Sequence, residues 1–290
     1  MYKDRRVVVC VPCGRKKYLR VLLPFLLSER AKIVDEVQLW INTDVTEDLQ
    51  YLKTVSDQFA NKLRRVVNDG QIVRAAYDAA RSNFIFADSI CFFYKKTVEP
   101  DTIYIKLDDD MCWIHPDFFV NLCDDLIANE DRCFFVSANV MNIATSSKIY
   151  QDMGVVGTEA GICTSDARCP IGCIDGKFAK YLHERFLELH ANDEVEKLYF
   201  ESYEATGRHR IGAIAYTGET FAKFGGHVSA ADEKDLTQII ARRLGLPMRT
   251  CGNALICHFA SAHQRALLED ETDILDRYLK IATIETGITC

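Results

Sequence analysis

Residues 102–110 read Thr-Ile-Tyr-Ile-Lys-Leu-Asp-Asp-Asp, and this stretch decides the fold. Its first six residues, Thr102–Leu107, are rich in β-branched and aromatic side chains, which is typical of a buried strand. Three aspartates follow directly, and ligands of open α/β sheets bind at the carboxyl ends of strands. Packed carboxylates repel unless a divalent cation neutralises them, so the pattern predicts a metal site. A surface acidic loop is the alternative, and the apolar flanks Leu107 and Met111 disfavour it.

The chain on either side of this strand alternates short apolar runs with helix-like stretches. That alternation predicts an α/β fold with a mostly parallel central sheet flanked by helices. Further strands are predicted at 7–11, 37–42, 63–67, 211–216 and 254–258. Helices are predicted at 16–30, 47–61, 234–244 and 273–283, with an Ala-rich helix over 74–80. Because no repeat or linker is evident, residues 1–290 are predicted to form a single domain.

One long segment, from about Tyr150 to Gly176, has five glycines and little periodicity. Irregular stretches of this length inside a domain are usually functional, so a loop or lid is predicted here.

Composition excludes several classes of protein. The 290 residues are 48% hydrophobic and 27% charged, which is typical of a globular protein. A net charge of −7 argues against general nucleic-acid binding. The sequence shows neither a secretory signal nor an apolar run long enough to span a bilayer, so we expect a cytoplasmic protein without a membrane span. The 12 cysteines are scattered and are interpreted as reduced thiols rather than a zinc site.

Familiar nucleotide-binding loops are absent from the sequence. There is no G-x-G-x-x-G after the first strand and no G-x-x-x-x-G-K-[ST], which argues against dehydrogenases and P-loop proteins. A Mg²⁺-dependent phosphohydrolase or nuclease built on Asp108–Asp110 remains an alternative. Haloacid-dehalogenase-type phosphatases place their Asp-x-Asp after the first strand, whereas here it follows a hundred residues.

Three motifs together resemble a known family. They are the stretch from Tyr104 to Asp117, the sequence Asp-Glu-Lys-Asp-Leu-Thr at 232–237, and Cys-His-Phe-Ala-Ser-Ala-His-Gln-Arg at 257–265. Their order and spacing resemble GT-A fold glycosyltransferases, in particular the small soluble enzymes of large algal viruses (chloroviruses) and related fungal sequences. The resemblance implies a single GT-A domain with the Asp-x-Asp motif at the end of a central strand.

The resemblance also implies an activity. It is the metal-dependent, inverting transfer of a sugar from a UDP-sugar, with UDP-xylose the first donor to consider, to a hydroxyl of a glycan or glycoprotein. Mn²⁺ or Mg²⁺ would hold the donor diphosphate. By this resemblance Asp110 is the principal metal carboxylate, Asp108 binds the metal or lies near the ribose, Asp109 supports both, and His258 is the late metal ligand.

Other donor-binding positions follow from the resemblance alone. Arg74 is expected near the diphosphate. The loop after the first strand and the end of the second strand are expected to hold the base and ribose, through Pro12, Cys13, Arg15, Thr43 and Asp44.

Inversion needs a carboxylate that takes a proton from the attacking hydroxyl. Asp232 and Glu233 are the candidates for this base, and Asp235 is a third option. Helix capping is the structural alternative, because acidic residues in a first turn interact favourably with free N–H groups. Capping explains one carboxylate more easily than three.

Overall fold

The computed structural model describes residues 1–67, 76–78, 83–85, 89–229 and 231–290. The strands are β1 (Arg6–Cys13), β2 (Glu36–Ile41), β3 (Leu63–Val66), β4 (Ala76–Asp78), β5 (Asn83–Ile85), β6 (Thr102–Leu107), β7 (Met111–Ile114), β8 (Val136–Met141), β9 (Tyr203–Ala205), β10 (Ala213–Thr217) and β11 (Met248–His258).

Helices cover both faces of the sheet that these strands form. In chain order the first eight are α1 (Lys16–Leu27), α2 (Thr46–Gln58), α3 (Ser89–Tyr94), α4 (Phe118–Asn129), α5 (Ala144–Asp152), α6 (Pro170–Cys173), α7 (Gly176–Ala191) and α8 (Gly218–Ala222). Then follow α9 (Asp232–Lys234), a π-helical segment (Asp235–Ile240), α10 (Ala241–Leu244), α11 (Arg265–Asp270) and α12 (Ile274–Thr286). No helix in the described part of the chain is long and apolar enough to cross a membrane.

The main sheet has the strand order β3-β2-β1-β6-β10-β8-β11-β7, with β9 also paired to β11. On one side, β3, β2, β1 and β6 run parallel, as the sequence predicts. On the other side the sheet is mixed, because β10 runs antiparallel between β6 and β8, and β11 is antiparallel to β7 and β9. The architecture is an α/β fold around a mixed central sheet.

The side chains of β1 alternate between two hydrophobic cores, one on each face of the sheet. Val7, Val9 and Val11 pack into the core on the face that α1 and α12 cover. Val8 and Cys10 face the other core, which contains the aromatic residues Trp40, Tyr104 and Tyr216. Since successive side chains of a strand point to opposite faces, an all-apolar strand must be buried on both. The sheet is thereby fixed from both sides, and its strand ends are rigid positions for a site.

Most predicted elements are found within a few residues of their expected bounds, and two differences stand out. Of the predicted Ala-rich helix, the structure describes Ala76–Asp78, which forms strand β4 paired antiparallel with β5. Strand pairing with β5 here overrides the high helix propensity of alanine. The predicted irregular segment from Tyr150 to Gly176 begins inside α5 and contains α6. Arg74 lies outside the described residues.

Candidate active site

The three aspartates occupy a tight turn between β6 and β7. Asp108 N–H donates to the carbonyl of Gly212 at 2.8 Å, and Met111 N–H donates to the carbonyl of Asp108 at 3.4 Å. Phe259 N–H donates to the carbonyl of Asp110 at 2.9 Å. Backbone contacts from three parts of the chain therefore hold the motif at the carboxyl end of β6.

Strand β11 brings His258 to this turn. His258 is in register with Met111 on β7, and the register shifts between Cys257 and His258. A shift of register at the end of a ladder changes the direction of the side chain that follows it. As a result, His258 Nε2 lies 3.4 Å from Asp110 Oδ1.

Asp108, Asp110 and His258 form a candidate metal site. One ligand atom from each lies within 4.8 Å of the others, and in the described part of the chain this is the only such group of three His, Cys, Asp or Glu side chains. Two carboxylates and one imidazole suit Mn²⁺ or Mg²⁺ better than a soft metal. His258 Nδ1 is buried without a hydrogen-bond partner among the described residues, which leaves this ring nitrogen for a ligand. The residues therefore fit a divalent cation.

Asp110 is the most enclosed carboxylate of the motif, with 2% of its side chain exposed. Its Oδ2 accepts hydrogen bonds from Arg15 and from Arg265, both at 3.0 Å. Burial alone would raise the pKa of Asp110, but Arg15 and His258 hold it well below its ordinary value. Asp110 is therefore negatively charged at neutral pH and available to a cation.

Asp109 ties the loop after β1 to the motif. It accepts hydrogen bonds from Gly14 N–H at 3.1 Å and from Arg15 Nε at 3.1 and 3.2 Å, and the Arg15 terminal nitrogen also contacts it. Burial raises the pKa of Asp109 although Arg15 opposes the shift. These contacts direct Arg15 toward the aspartates.

Lys106 is a site residue that sequence reasoning missed. Its side chain, 3% exposed, extends from β6 to the carboxylate of Asp108 and donates to the carbonyl of Ile211 at 3.1 Å. Burial would lower the pKa of Lys106, yet Asp108 and Asp232 raise it above its ordinary value. The signal in the sequence is a lysine within an otherwise uncharged strand. A buried lysine nearly always has a charged partner.

Asp232, at the start of α9, lies close enough to Lys106 and Asp108 for their charges to shift its pKa. It accepts a hydrogen bond from the Tyr94 hydroxyl at 3.3 Å. Burial raises its pKa, with Lys106 opposing and Asp108 adding to the shift. Asp232 thus interacts electrostatically with the same Lys106 that pairs with the first aspartate of the motif.

The neighbouring carboxylates are engaged elsewhere. Glu233 accepts from Arg208 at 2.6 Å and from Arg210 at 3.1 Å. Asp235 accepts from Ser229 N–H at 2.7 Å and begins the π-helical segment. Such segments often mark functional sites. The structure therefore separates the three predicted base candidates by their partners.

The residues expected at the base and ribose lie around the ends of β1 and β2. The Thr43 hydroxyl accepts from Val45 N–H at 3.1 Å and donates to Asp48 at 3.4 Å, and Asp44 is exposed. Pro12 pairs with Trp40 in the ladder. The Cys13 thiol donates to the carbonyl of Val11, the Cys13 carbonyl accepts from Asn42 N–H at 2.9 Å, and the residue is fully buried, so Cys13 is not accessible to a ligand here. Next to this region lies a cavity of about 390 Å³, lined by Arg15, Lys16, Lys17, Arg20, Glu47 and Asp48.

No known protein family and no curated protein matches this chain by sequence. Among solved structures, a mannosyltransferase from Pyrobaculum calidifontis in complex with GDP-mannose and Mn²⁺ aligns with 100% of this chain and 67% of its own, at 15% identity and a TM-score of 0.50. This likeness shows the fold, which is GT-A-like.

Two further solved structures cover nearly the whole chain. A 4-diphosphocytidyl-2C-methyl-D-erythritol synthase from Anaerococcus prevotii covers 99% of this chain and 100% of its own, at 12% identity and a TM-score of 0.45. Glucosyl-3-phosphoglycerate synthase from Mycobacterium tuberculosis, solved with Mn²⁺ and UDP, covers 99% of this chain and 81% of its own, at 12% identity and a TM-score of 0.44.

Proposed function

We propose that this protein is a metal-dependent glycosyltransferase that moves a sugar from a UDP-sugar to a hydroxyl group of a glycan or glycoprotein. The observation that carries the proposal is the Asp108–Asp110–His258 cluster at the carboxyl end of β6 in a GT-A-like sheet. UDP-xylose is the first donor to test, on the resemblance to the enzymes of large algal viruses.

Asp108, Asp110 and His258 would hold Mn²⁺ or Mg²⁺ at this position. The ion supplies Lewis-acid chemistry, since it stabilises the negative charge that develops on the leaving diphosphate. Arg15 adds a fixed positive charge beside Asp109 and Asp110. Charges that are already oriented toward a developing anion stabilise it without reorganisation.

Asp232 is the proposed general base of an inverting reaction. Its raised pKa makes it a better proton acceptor than an ordinary carboxylate, and the Tyr94 hydroxyl orients it. Glu233 is bound by two arginines, so its charge is already neutralised and its role is to fix the start of α9. In this assignment Asp232 accepts the proton of the acceptor hydroxyl as the new glycosidic bond forms.

The test is a turnover assay with a panel of UDP- and GDP-sugars, Mn²⁺ or Mg²⁺, and candidate acceptor sugars. We expect release of UDP and a glycoside whose anomeric configuration, read by proton NMR, is opposite to that of the donor. EDTA should abolish both. Release of inorganic phosphate from simple phosphate esters, without sugar transfer, would instead support a phosphohydrolase built on the same aspartates.

A further inference from the structure

Three cations already neutralise the three aspartates of the motif. Arg15 pairs with Asp109 and Asp110, Lys106 pairs with Asp108, and Arg265 pairs with Asp110. The local charge of these six side chains is therefore balanced without any metal. Asp232 adds one negative charge near Lys106, so a divalent cation alone would still leave the site with a net positive charge, which is unfavourable among largely buried side chains.

A nucleotide-sugar diphosphate carries two negative charges and restores that balance. Metal and donor entering together thus leave the six side chains and their ligands neutral. For a metal ion to bind Asp110, one of the cations that now contact this carboxylate must leave. Asp110 Oδ2 accepts from the guanidinium groups of Arg15 and Arg265, and Asp110 Oδ1 faces His258.

Arg265 is better placed to leave than Arg15. Arg15 is held by both Asp109 and Asp110, and its guanidinium lies 4.6 Å from the centre of the Tyr18 ring. Arg265 forms one ion pair, to Asp110, at the first residue of α11, and a third of its side chain is exposed. Its Nε is buried without an acceptor among the described residues. One donor of Arg265 is thus still unused when it binds Asp110.

We infer that Arg265 is an exchangeable counterion. It pairs with Asp110 in the metal-free protein and moves to the donor diphosphate when metal and donor bind together. The move of Arg265 to the donor diphosphate rests on the proposed function. The competition between Arg265 and a metal ion for Asp110 does not. A guanidinium suits this exchange because its planar donors match carboxylate and phosphate oxygens equally well.

The test compares wild-type protein with Arg265→Met, which keeps the aliphatic stem and removes the charge. Mn²⁺ binding is measured first without nucleotide, and UDP binding is then measured at saturating Mn²⁺, both by calorimetry. We expect Arg265→Met to bind Mn²⁺ alone at least about tenfold more tightly, because a competing positive charge is gone. UDP should bind at least about tenfold more weakly, because a charged phosphate partner is lost.

Lys53→Met is the control. Lys53 pairs with Asp57 within α2, is exposed, and does not contact the aspartates of the motif in the described contacts. Its removal lowers the charge of the protein by the same amount, and we expect both affinities to stay unchanged. If Arg265→Met does not fold, Arg265→Gln replaces it.

Opposite shifts of the two affinities support the inference, since a merely structural role would weaken both. Unchanged or weaker Mn²⁺ binding in the variant, including no binding to either protein, overturns it. Unchanged UDP affinity overturns the transfer to the diphosphate. If wild-type protein binds no nucleotide with Mn²⁺, the proposed function fails, and the Mn²⁺ measurement alone still decides whether Arg265 competes for Asp110.

Discussion

His258 on β11 lies against Asp110 after β6, with 3.4 Å between Nε2 and Oδ1. The two residues come from distant parts of the chain, and the backbone hydrogen bond from Phe259 to Asp110 holds them together. A buried carboxylate and an imidazole whose other ring nitrogen has no partner among the described residues thus lie together in the candidate metal site. The proposed function depends on this pair more than on any other contact.

Replacing His258 should weaken metal binding without unfolding the protein. His258→Gln removes one ligand, and we expect Mn²⁺ affinity, measured in the presence of UDP, to fall by at least about tenfold, since even outer-sphere partners are worth that much. His227→Gln is the control, because His227 is exposed. Equal Mn²⁺ affinity in the two variants would exclude His258 from the metal site.

Asp110→Asn should abolish metal-dependent UDP binding. The change keeps the shape of the side chain and removes the charge that a cation needs, while Arg15 and Arg265 stay nearby. Asp117→Asn makes the same change at an exposed aspartate and should bind UDP normally. Titration calorimetry with Mn²⁺ distinguishes them, and normal binding by Asp110→Asn would contradict the assignment.

Asp232→Asn should separate catalysis from binding. Loss of a general base typically costs about 10²–10⁴-fold in rate, so we expect the turnover number to fall in that range with UDP affinity unchanged. Asp235→Asn is the control, because Asp235 accepts a hydrogen bond from Ser229 at the helix start. A full turnover rate in Asp232→Asn would assign the base to another carboxylate.

The buried pair Lys106–Asp108 should matter for stability. Lys106→Met leaves Asp108 without its cation, and breaking a buried pair costs about 3–5 kcal/mol; since about a third of Asp108 is exposed, we expect about 2 kcal/mol. Lys53→Met removes an exposed pair with Asp57 and should change stability by less than about 0.5 kcal/mol. Urea unfolding measures the unfolding free energy of both variants. Equal losses would show that solvent screens the Lys106–Asp108 pair as strongly as it screens a surface pair.

Mild acid should destabilise the protein through buried histidines. His183 hydrogen-bonds with Tyr278 and Phe259, and burial lowers its pKa from 6.5 to about 4. Below pH 6.5 the unfolded chain takes up a proton that the folded one refuses, so the unfolding free energy falls as pH drops toward 4. For His183 the total is about 3 kcal/mol.

The variant His183→Gln tests this origin. It should reduce the slope of the unfolding free energy against pH between pH 6.5 and 4, even though the variant is less stable at pH 7. His209, whose pKa burial also lowers to about 4, retains its own contribution. An unchanged slope would show that His183 is not the source of the acid sensitivity.

The sequence predicts the parallel half of the sheet because each strand there is a short apolar run that is buried on both faces. It predicts the motif Asp108–Asp110 for the same reason, since three charges at the end of such a run need a partner. It misses β7, α4, β8 and α7. In the two helices the signal is present in the sequence, because buried residues recur at helical spacing, as Phe178, Leu182 and Phe186 do in α7. The Ala-rich segment is mispredicted at Ala76–Asp78 because pairing with β5 outweighs local propensity.

Long-range partners are what the sequence alone cannot supply. Nothing local indicates that Arg265 reaches Asp110, that Arg15 turns toward Asp109, or that Lys106 connects Asp108 electrostatically to Asp232. These contacts depend on which strands are neighbours in the sheet. Contacts with other parts of the chain also give Asp232, Glu233 and Asp235 different partners, although the three residues lie in one short motif.

The central claim is that this site binds a uridine diphosphate donor through a divalent metal. The most direct measurement is thermal unfolding with UDP and UDP-sugars, each with Mn²⁺, with Mg²⁺ and with EDTA. A ligand at about 100 times its dissociation constant adds about 2.7 kcal/mol, which raises the melting temperature of a chain this size by a few degrees. We predict that shift with metal and none with EDTA. A shift from metal alone that no nucleotide increases would contradict the account.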